Sequence, residues 1–236
     1  MSSEKLTVLE EGQVLLFDKP VGWTSFDLVN KIRIMIRSTL GIRKIKVGHT
    51  GTLDPLASGL MIICTGKATK RIDEFMGLDK EYLAVIHMGE TTPSFDLETE
   101  VDKRYPSEHI TREMAERILG TFIGEQSQVP PVYSAKFIDG KRAYEFARKG
   151  SKLELAPVKI MIREAEMKKF SIPDITVRLL CSKGTYIRSF ARDYGIALKS
   201  GAYLSSLRRT AIGSFNVSDA LSLENFDHFL QQMKQT

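Results

Sequence analysis

The order in which strand-like and helix-like segments follow one another constrains the fold of this chain most. Strands are predicted at 13–18, 60–64, 82–88, 158–168 and 175–181, and helices at 25–38, 67–76, 111–123, 141–149, 185–198 and 223–233. The two types are mixed without the regular βαβ alternation of a doubly wound parallel sheet. The sequence therefore predicts an α+β fold with a largely antiparallel or mixed sheet.

Size and composition limit the class of protein. The 236 residues suit one large domain or two small ones, and a hydrophobic content of 42% is enough for a substantial core. No apolar run approaches the ~20 residues that span a bilayer, and the first five residues lack the plan of a secretory signal. Cys64 and Cys181 lie in predicted strands, which favours buried thiols in a reducing cytoplasm. The four histidines are scattered without ligand spacing, so we expect no metal site.

Residues 48–60 form a glycine-rich segment around one carboxylate. They read Gly-His-Thr-Gly-Thr-Leu-Asp-Pro-Leu-Ala-Ser-Gly-Leu. Pro55 biases Asp54 toward extended backbone, and the glycines permit backbone angles and close approaches that a side chain would block. His49 lies five residues before the carboxylate. This segment predicts a loop that presents Asp54 to a ligand.

Other interpretations of the segment are open on residue chemistry alone. An aspartate before proline is often a turn residue that bonds to its own backbone. A calcium loop needs several oxygen ligands at alternate positions, and this segment has one carboxylate. A phosphate loop needs Ser or Thr after its Gly-Lys pair, but Ala68 follows Lys67. The turn interpretation is therefore the main alternative to ligand presentation.

Basic residues are concentrated just before this loop. The net charge of +5 is modest, but residues 28–47 contain no acid. The basic residues there are Lys31, Arg33, Arg37, Arg43, Lys44 and Lys46. Such a block is typical either of a solvated surface or of a nucleic-acid footprint. A polyanion attracted to it would arrive close to Asp54.

Several sequence blocks resemble the TruB family of pseudouridine synthases. The segment 48–60 is similar to the family's catalytic motif, and Lys19-Pro-Val-Gly-Trp-Thr-Ser25 to its first motif. The further matching blocks, in order, are Asp79–Tyr82, Gln128–Ala135, Tyr144–Gly150, Cys181–Arg188 and Leu207–Arg209. One departure is Thr99, which stands where the family has a glycine. The resemblance covers most of the chain.

The resemblance implies the pseudouridine synthase fold, a long mixed, mainly antiparallel sheet flanked by helices with a central active-site cleft. It implies a single catalytic domain over residues 1–236. The chain ends 23 residues after Gly213. We therefore expect no accessory C-terminal RNA-binding module, so RNA binding would rest on the catalytic domain.

Three catalytic residues follow from the resemblance: Asp54, Arg188 and Tyr82. Asp54 would either attack as a nucleophile or remove a proton from the sugar while the base leaves. Arg188 would hold Asp54 ionised, because a guanidinium in contact lowers an aspartate pKa by ~1–3 units. Its alternatives are an ion pair with Asp193 or a place in solvent. Tyr82 would stack on the uracil, and its alternative is a core aromatic of a strand.

Four residues are implied to contact the RNA: His49, Lys19, Tyr186 and Leu207. The target base must be flipped out of its stack, and His49 matches the residue that supports the flipped state. Tyr186 and Leu207 match positions that contact the extruded nucleotide, although each alone would be assigned to the core. Lys19 would either steer phosphate or brace the Asp54 loop.

Together these inferences predict a cytoplasmic enzyme that isomerises uridine to pseudouridine at position 55 in the T loop of tRNA. The expected partner is tRNA, with no membrane, no protein partner, no cofactor and a monomeric state. The alternative is a non-catalytic RNA-binding or tRNA-folding module, which the basic block fits equally well. A nucleoside or glycoside hydrolase usually needs two carboxylates, and Asp96 is the other candidate.

Overall fold

The computed structural model of this protein describes residues 8–133, 137–138, 141–142 and 155–235. The chain divides into two compact units, each of which is described by itself. The first unit runs to Lys80 and resumes at Arg208, and the second comprises Glu81–Leu207. The expected single catalytic domain stays a prediction.

The first unit is built around one buried strand. Its elements are α1 (Val8–Gly12), β1 (Val14–Lys19), α2 (Ser25–Leu40), β2 (Val47–His49), β3 (Ala57–Thr65), a 3₁₀ segment (Gly66–Arg71), α3 (Ile72–Met76), the end of β12 (Ala202–Ile212), β13 (Phe215–Asn216) and α6 (Leu223–Gln235). Strands β1 and β2 both pair antiparallel with β3. Nearly every residue of β3 is buried, which explains its almost continuous apolar sequence.

Helix α2 begins at the predicted residue, Ser25, and runs to Leu40, two residues beyond the predicted end. The Thr24 side chain accepts a hydrogen bond from the Asp27 N–H, and the Asp27 carboxylate accepts one from the Thr24 N–H. This reciprocal cap satisfies two backbone donors that a helix start otherwise leaves unpaired. Gly41 ends the helix with a φ of +73°, a conformation that suits glycine.

The second unit is a mainly antiparallel sheet with two longer helices. Its elements are β4 (Lys80–Met88), β5 (Glu90–Thr91), β6 (Lys103–Arg104), α4 (Arg112–Gly120), β7 (Gly124–Gln128), β8 (Phe137–Ile138), β9 (Lys141–Arg142), β10 (Val158–Ser171), β11 (Asp174–Cys181), α5 (Ile187–Ala197) and the start of β12. The order β4-β11-β10-β7 places the β10–β11 hairpin in the middle of these strands. Phe190 and Tyr194 of α5 pack against Phe122, which lies in the turn between α4 and β7.

The predicted α+β class and the predicted strands and longer helices are confirmed. Residues 67–76, predicted as one helix, form the 3₁₀ segment followed by α3, and a prediction of helix at 141–142 is wrong because these residues are strand β9. Strand β12 was not predicted. The Tyr144–Gly150 block and the end of the Gln128–Ala135 block lie outside the described residues. Cys64 and Cys181 are both buried and form no disulfide with each other. None of the described helices is long and apolar enough to span a membrane.

Candidate active site

The Asp54 loop is held on both sides of the carboxylate. Asp54 is half-buried in the segment between β2 and β3. The hydroxyl of Ser25 accepts a hydrogen bond from the Leu53 N–H at 2.8 Å and donates one to the Leu53 carbonyl at 3.0 Å. On the other side, the Gly22 N–H donates to the Pro55 carbonyl at 2.8 Å. Gly22 and Ser25, both in the segment Lys19–Ser25, therefore fix the backbone that carries Asp54.

Lys19 is the internal brace of this loop. Its side chain is fully buried. Its Nζ donates to the carbonyls of Pro20 at 2.9 Å, Trp23 at 2.6 Å and Ala57 at 2.6 Å. Burial lowers the pKa of Lys19 to about 8, and the negative charge of Asp54 acts in the opposite direction. With three carbonyls satisfied by one buried ammonium, the geometry favours bracing over phosphate contact.

Arg209 joins the start of the loop to β3. This arginine is 1% exposed, and it donates from Nε to the Leu60 carbonyl at 2.7 Å and from Nη2 to the Gly51 carbonyl at 3.2 Å. Gly59 has a φ of +109°, and a Cβ there would overlap the Arg209 backbone carbonyl and lie 2.7 Å from its nitrogen. Close packing of the two strands thus requires glycine at this position. Sequence reasoning placed Arg209 in a matching block but gave it no role.

His49 stands at the end of β2, half-buried beside the same arginine. Its Nδ1 accepts a hydrogen bond from the Gly51 N–H at 3.3 Å. Burial lowers the pKa of His49, and the charge of Arg209 lowers it further. The imidazole is therefore neutral at pH 7, able to stack on a base without carrying a charge into that stack.

In the second unit, Arg188 is buried at the start of α5. It is 4% exposed, and its Nη1 lies 3.5 Å from Oδ2 of Asp96, which is 5% exposed. Arg188 is therefore not in solvent. The neighbouring Asp193 accepts a hydrogen bond from Arg192 at 2.7 Å. Sequence reasoning did not identify Asp96 as a partner of Arg188, because the two residues are 92 positions apart.

Hydroxyl groups hold the segment that carries Asp96. Thr92 and Ser94 both donate to the Asp96 backbone carbonyl, at 2.7 Å and 3.2 Å. The Thr99 hydroxyl accepts a hydrogen bond from the Ser94 N–H at 3.1 Å. Among the described residues, Phe95 and Lys199 are the non-glycine residues with positive φ, so Thr99 needs no glycine conformation. The departure from the family pattern is thus absorbed by a side-chain hydrogen bond.

The remaining predicted site residues of the second unit lie on its strands and at a helix start. Tyr82, on β4, is 8% exposed, and Leu207, on β12, is 9% exposed. Tyr186 caps α5, where its N–H donates to Oε1 of Gln128 at 2.8 Å and its carbonyl accepts from Nε2 of that residue at 3.1 Å. Gln128 therefore fixes the backbone two residues before Arg188. The expected contact between Arg188 and Asp54 stays a prediction.

Comparison with known proteins assigns the chain to a family. Residues 37–187 match the family model described as TruB family pseudouridylate synthase (N terminal domain). The chain belongs to the TruB family. A TruB relative from Phocaeicola vulgatus, tRNA pseudouridine synthase B, is 57% identical over 95% of this chain and 96% of its own length. The protein of that name from Flavobacterium johnsoniae is 49% identical over 94% of this chain and 97% of its own.

Solved structures extend the comparison to the fold of the TruB-family chain. It is similar to a chain of the archaeal box H/ACA sRNP Nop10-Cbf5 complex, with a TM-score of 0.68 and 24% identity over 96% of this chain. A chain of a Cbf5-Nop10-Gar1 complex gives a TM-score of 0.70 at 24% identity, also over 96% of this chain. The TruB-family chain spans 56% and 60% of the lengths of those two chains. These likenesses confirm the predicted fold.

Proposed function

We propose that this TruB-family enzyme isomerises uridine to pseudouridine at position 55 in the T loop of tRNA, with Asp54 as its catalytic carboxylate. The observation that carries the proposal is the braced Asp54 loop, which Ser25, Gly22 and Lys19 hold from both sides. A carboxylate that must meet one sugar atom needs such a preorganised backbone. The relatives named tRNA pseudouridine synthase B, matched over almost their whole length, support tRNA as the substrate.

The reaction breaks the glycosidic C–N bond, turns the base while it is bound, and forms a C–C bond between the sugar and C5 of the base. The proton on C5 is lost, and N1 of the base gains one, so the atoms balance without an external reagent. Asp54 would either attack the sugar as a nucleophile or take a sugar proton as the base leaves. Both routes require Asp54 to be ionised. Arg188, with five donors and one nitrogen directed at Asp96, would supply the matching charge.

The other site residues would handle the flipped nucleotide. Neutral His49 would support the opened stack, and Tyr82 would lie against the uracil. Tyr186 and Leu207 would contact the extruded nucleotide. Lys19 would act on the loop that carries Asp54 and not on the RNA, because its ammonium is already surrounded by carbonyl groups.

The test compares Asp54→Asn with Asp73→Asn, which makes the same chemical change on an exposed carboxylate of the first unit. Each variant is incubated with a tRNA transcript, pseudouridine is mapped by carbodiimide labelling, and tRNA binding is measured separately. We expect Asp54→Asn to form no pseudouridine at position 55 while its tRNA affinity stays within about twofold of wild type. Asp73→Asn should keep full activity.

Three results would overturn the proposal. Full activity of Asp54→Asn would remove the carboxylate from the mechanism. Release of free uracil would identify a hydrolase. Binding of tRNA by the wild-type protein without any conversion would favour the RNA-binding or tRNA-folding module. A transcript with cytidine at position 55 is the control for the site of modification.

We also propose that the enzyme is a monomer and that it works in the cytoplasm. In that compartment tRNA is available, and the buried thiols of Cys64 and Cys181 stay reduced. Analytical ultracentrifugation with and without tRNA tests the monomer. A sedimentation coefficient of a dimer at the concentration used for activity would contradict it.

A further inference from the structure

A basic cavity opens on the outer face of α2. It has a volume of about 230 Å³ and lies between this helix and the segment that follows it. Its lining residues are Asn30, Arg33, Ile34, Arg37, Ile42, Arg43, Lys44 and Ile45. Four of these eight side chains are cationic, and none is acidic. The cavity is far larger than the ~10–15 Å³ that holds one water molecule.

The helical repeat and the helix end build this cavity. Positions 30, 33, 34 and 37 follow one another at three- and four-residue spacings, so they share one face of α2. The opposite face carries the buried residues Leu28, Ile32 and Ile36. Gly41 then ends the helix in a left-handed conformation, and residues 42–45 supply the other wall.

Among the residues that the structure describes, no carboxylate neutralises the charges of the cavity. Within the described ranges of the chain, no acidic side chain pairs with Arg37, Arg43 or Lys44. Arg33 donates from Nη2 to the Val47 carbonyl at 2.6 Å, which uses one of its five N–H groups and neutralises nothing. Four unneutralised cations around one cavity repel one another and attract an anion.

The form of the site points to phosphodiesters. Three of the four cations are arginines, whose planar guanidinium groups bind phosphate oxygens through two parallel hydrogen bonds. The cations are distributed along a helix face and a separate segment, as suits successive charges on a chain. Duplex RNA is recognised largely through its phosphates and 2′-hydroxyls, because its deep groove hides the base edges.

The cavity is also attached to the candidate active site within the first unit. The Val47 carbonyl that Arg33 holds belongs to the first residue of β2, and β2 ends at His49. An RNA backbone bound in the cavity would therefore be fixed to the strand that leads into the Asp54 loop.

We propose that this cavity binds backbone phosphates of the same tRNA that presents its uridine to Asp54. This inference rests on the proposed function for the identity of the RNA. The site would bind phosphodiester groups whatever the RNA sequence. It would therefore increase the affinity for the RNA and fix the position of the RNA on the protein.

The test removes two exposed cations of the cavity in the variant Arg37→Gln/Arg43→Gln. Arg33 is left in place because its bond to Val47 supports β2. The control is Lys67→Gln/Lys70→Gln, which removes the same charge from exposed positions of the 3₁₀ segment in the same unit. Pseudouridine formation on a tRNA transcript is measured for all three proteins at 50 and 200 mM KCl, together with their melting temperatures.

We expect the cavity variant to raise KM, with kcat within about twofold of wild type. Each lost phosphate contact reduces the slope of log affinity against log salt concentration by about 0.7–0.9, so two lost contacts reduce it by about 1.4–1.8. The ratio of the variant's KM to the wild-type KM should fall by about 7- to 12-fold between 50 and 200 mM KCl. The control variant should show a ratio that barely changes with salt.

A KM equal to that of the control variant at both salt concentrations would overturn the phosphate site. A loss in kcat with unchanged KM would also overturn it, because it would assign these residues to the chemical step. If wild type itself forms no pseudouridine, the proposed function fails. The same salt comparison is then made on the Kd for the transcript, and it decides the cavity's role separately.

Discussion

The buried ammonium of Lys19 makes the stability of this protein depend on pH above neutrality. Burial lowers its pKa from 10.5 to about 8, partly opposed by the charge of Asp54. Between these two values the unfolded chain keeps a proton that the folded protein releases. Since the unfolded state then binds more protons, stability rises as the pH rises. The gain in stability from Lys19 begins as the pH rises through about 8 and is complete above pH 10.5.

The size of the effect follows from proton linkage. Between pH 7 and pH 9 the folded-state lysine changes from mostly protonated to mostly neutral, while the unfolded-state lysine stays charged. Each pH unit over which the unfolded lysine keeps a proton that the folded lysine has lost adds about 1.4 kcal/mol, so the interval up to pH 9 contributes about 1 kcal/mol.

The assay is urea unfolding of wild type and Lys19→Met at pH 7 and pH 9. The substitution removes the group that titrates, so the variant lacks the pH-dependent part of the stability that Lys19 contributes. We expect wild type to gain about 1 kcal/mol more than Lys19→Met over this interval. The exposed-lysine variant Lys67→Met is the matched control and should change in parallel with wild type.

Parallel changes in wild type and Lys19→Met would refute the reasoning, because they would mean that Lys19 titrates alike in both states. Asp54→Asn provides a second check that keeps Lys19 in place. Loss of the nearby negative charge should lower the pKa of Lys19 further, and the rise in stability should begin at a lower pH.

Three further substitutions test how the site is built. Gly59→Ala should cost about 3 kcal/mol or more in urea unfolding, because its Cβ would overlap the Arg209 backbone; Gly22→Ala, with φ +86° and open space, should cost about 1 kcal/mol. Equal losses would show that backbone conformation alone matters. Arg188→Lys should lower kcat about a hundredfold or more, because one ammonium cannot replace a two-pronged guanidinium contact. Wild-type kcat in that variant would remove Arg188 from the proposed mechanism.

Local chemistry made much of the fold predictable. The start of α2 follows from Thr24 and Asp27, which lie within one turn of each other. The buried strand β3 follows from its continuous apolar run. These signals act between residues that are neighbours in the chain, so they can be identified without tertiary structure.

Strand β12 was missed because its residues do not follow a strand pattern. Ser205, Ser206, Arg208 and Arg209 interrupt the apolar residues of Ala202–Ile212. The Arg208 guanidinium forms a two-pronged ion pair with Asp18, at 3.1 and 2.6 Å. Burying an unpaired charge is costly, so an arginine whose partners are unknown is assigned to an exposed segment. A sequence pattern with two arginines therefore does not predict a buried strand.

The sequence by itself determined the α+β class, the start of α2 and the loop that carries Asp54, because each follows from patterns of residues that are close together in the chain. Tertiary structure decided what surrounds the charged groups. Arg209 donates to Gly51, 158 residues away, and Arg188 lies beside Asp96. The cost of a buried charge depends on the carbonyls and carboxylates that the fold brings to it, and residues so far apart in sequence meet only after the chain has folded.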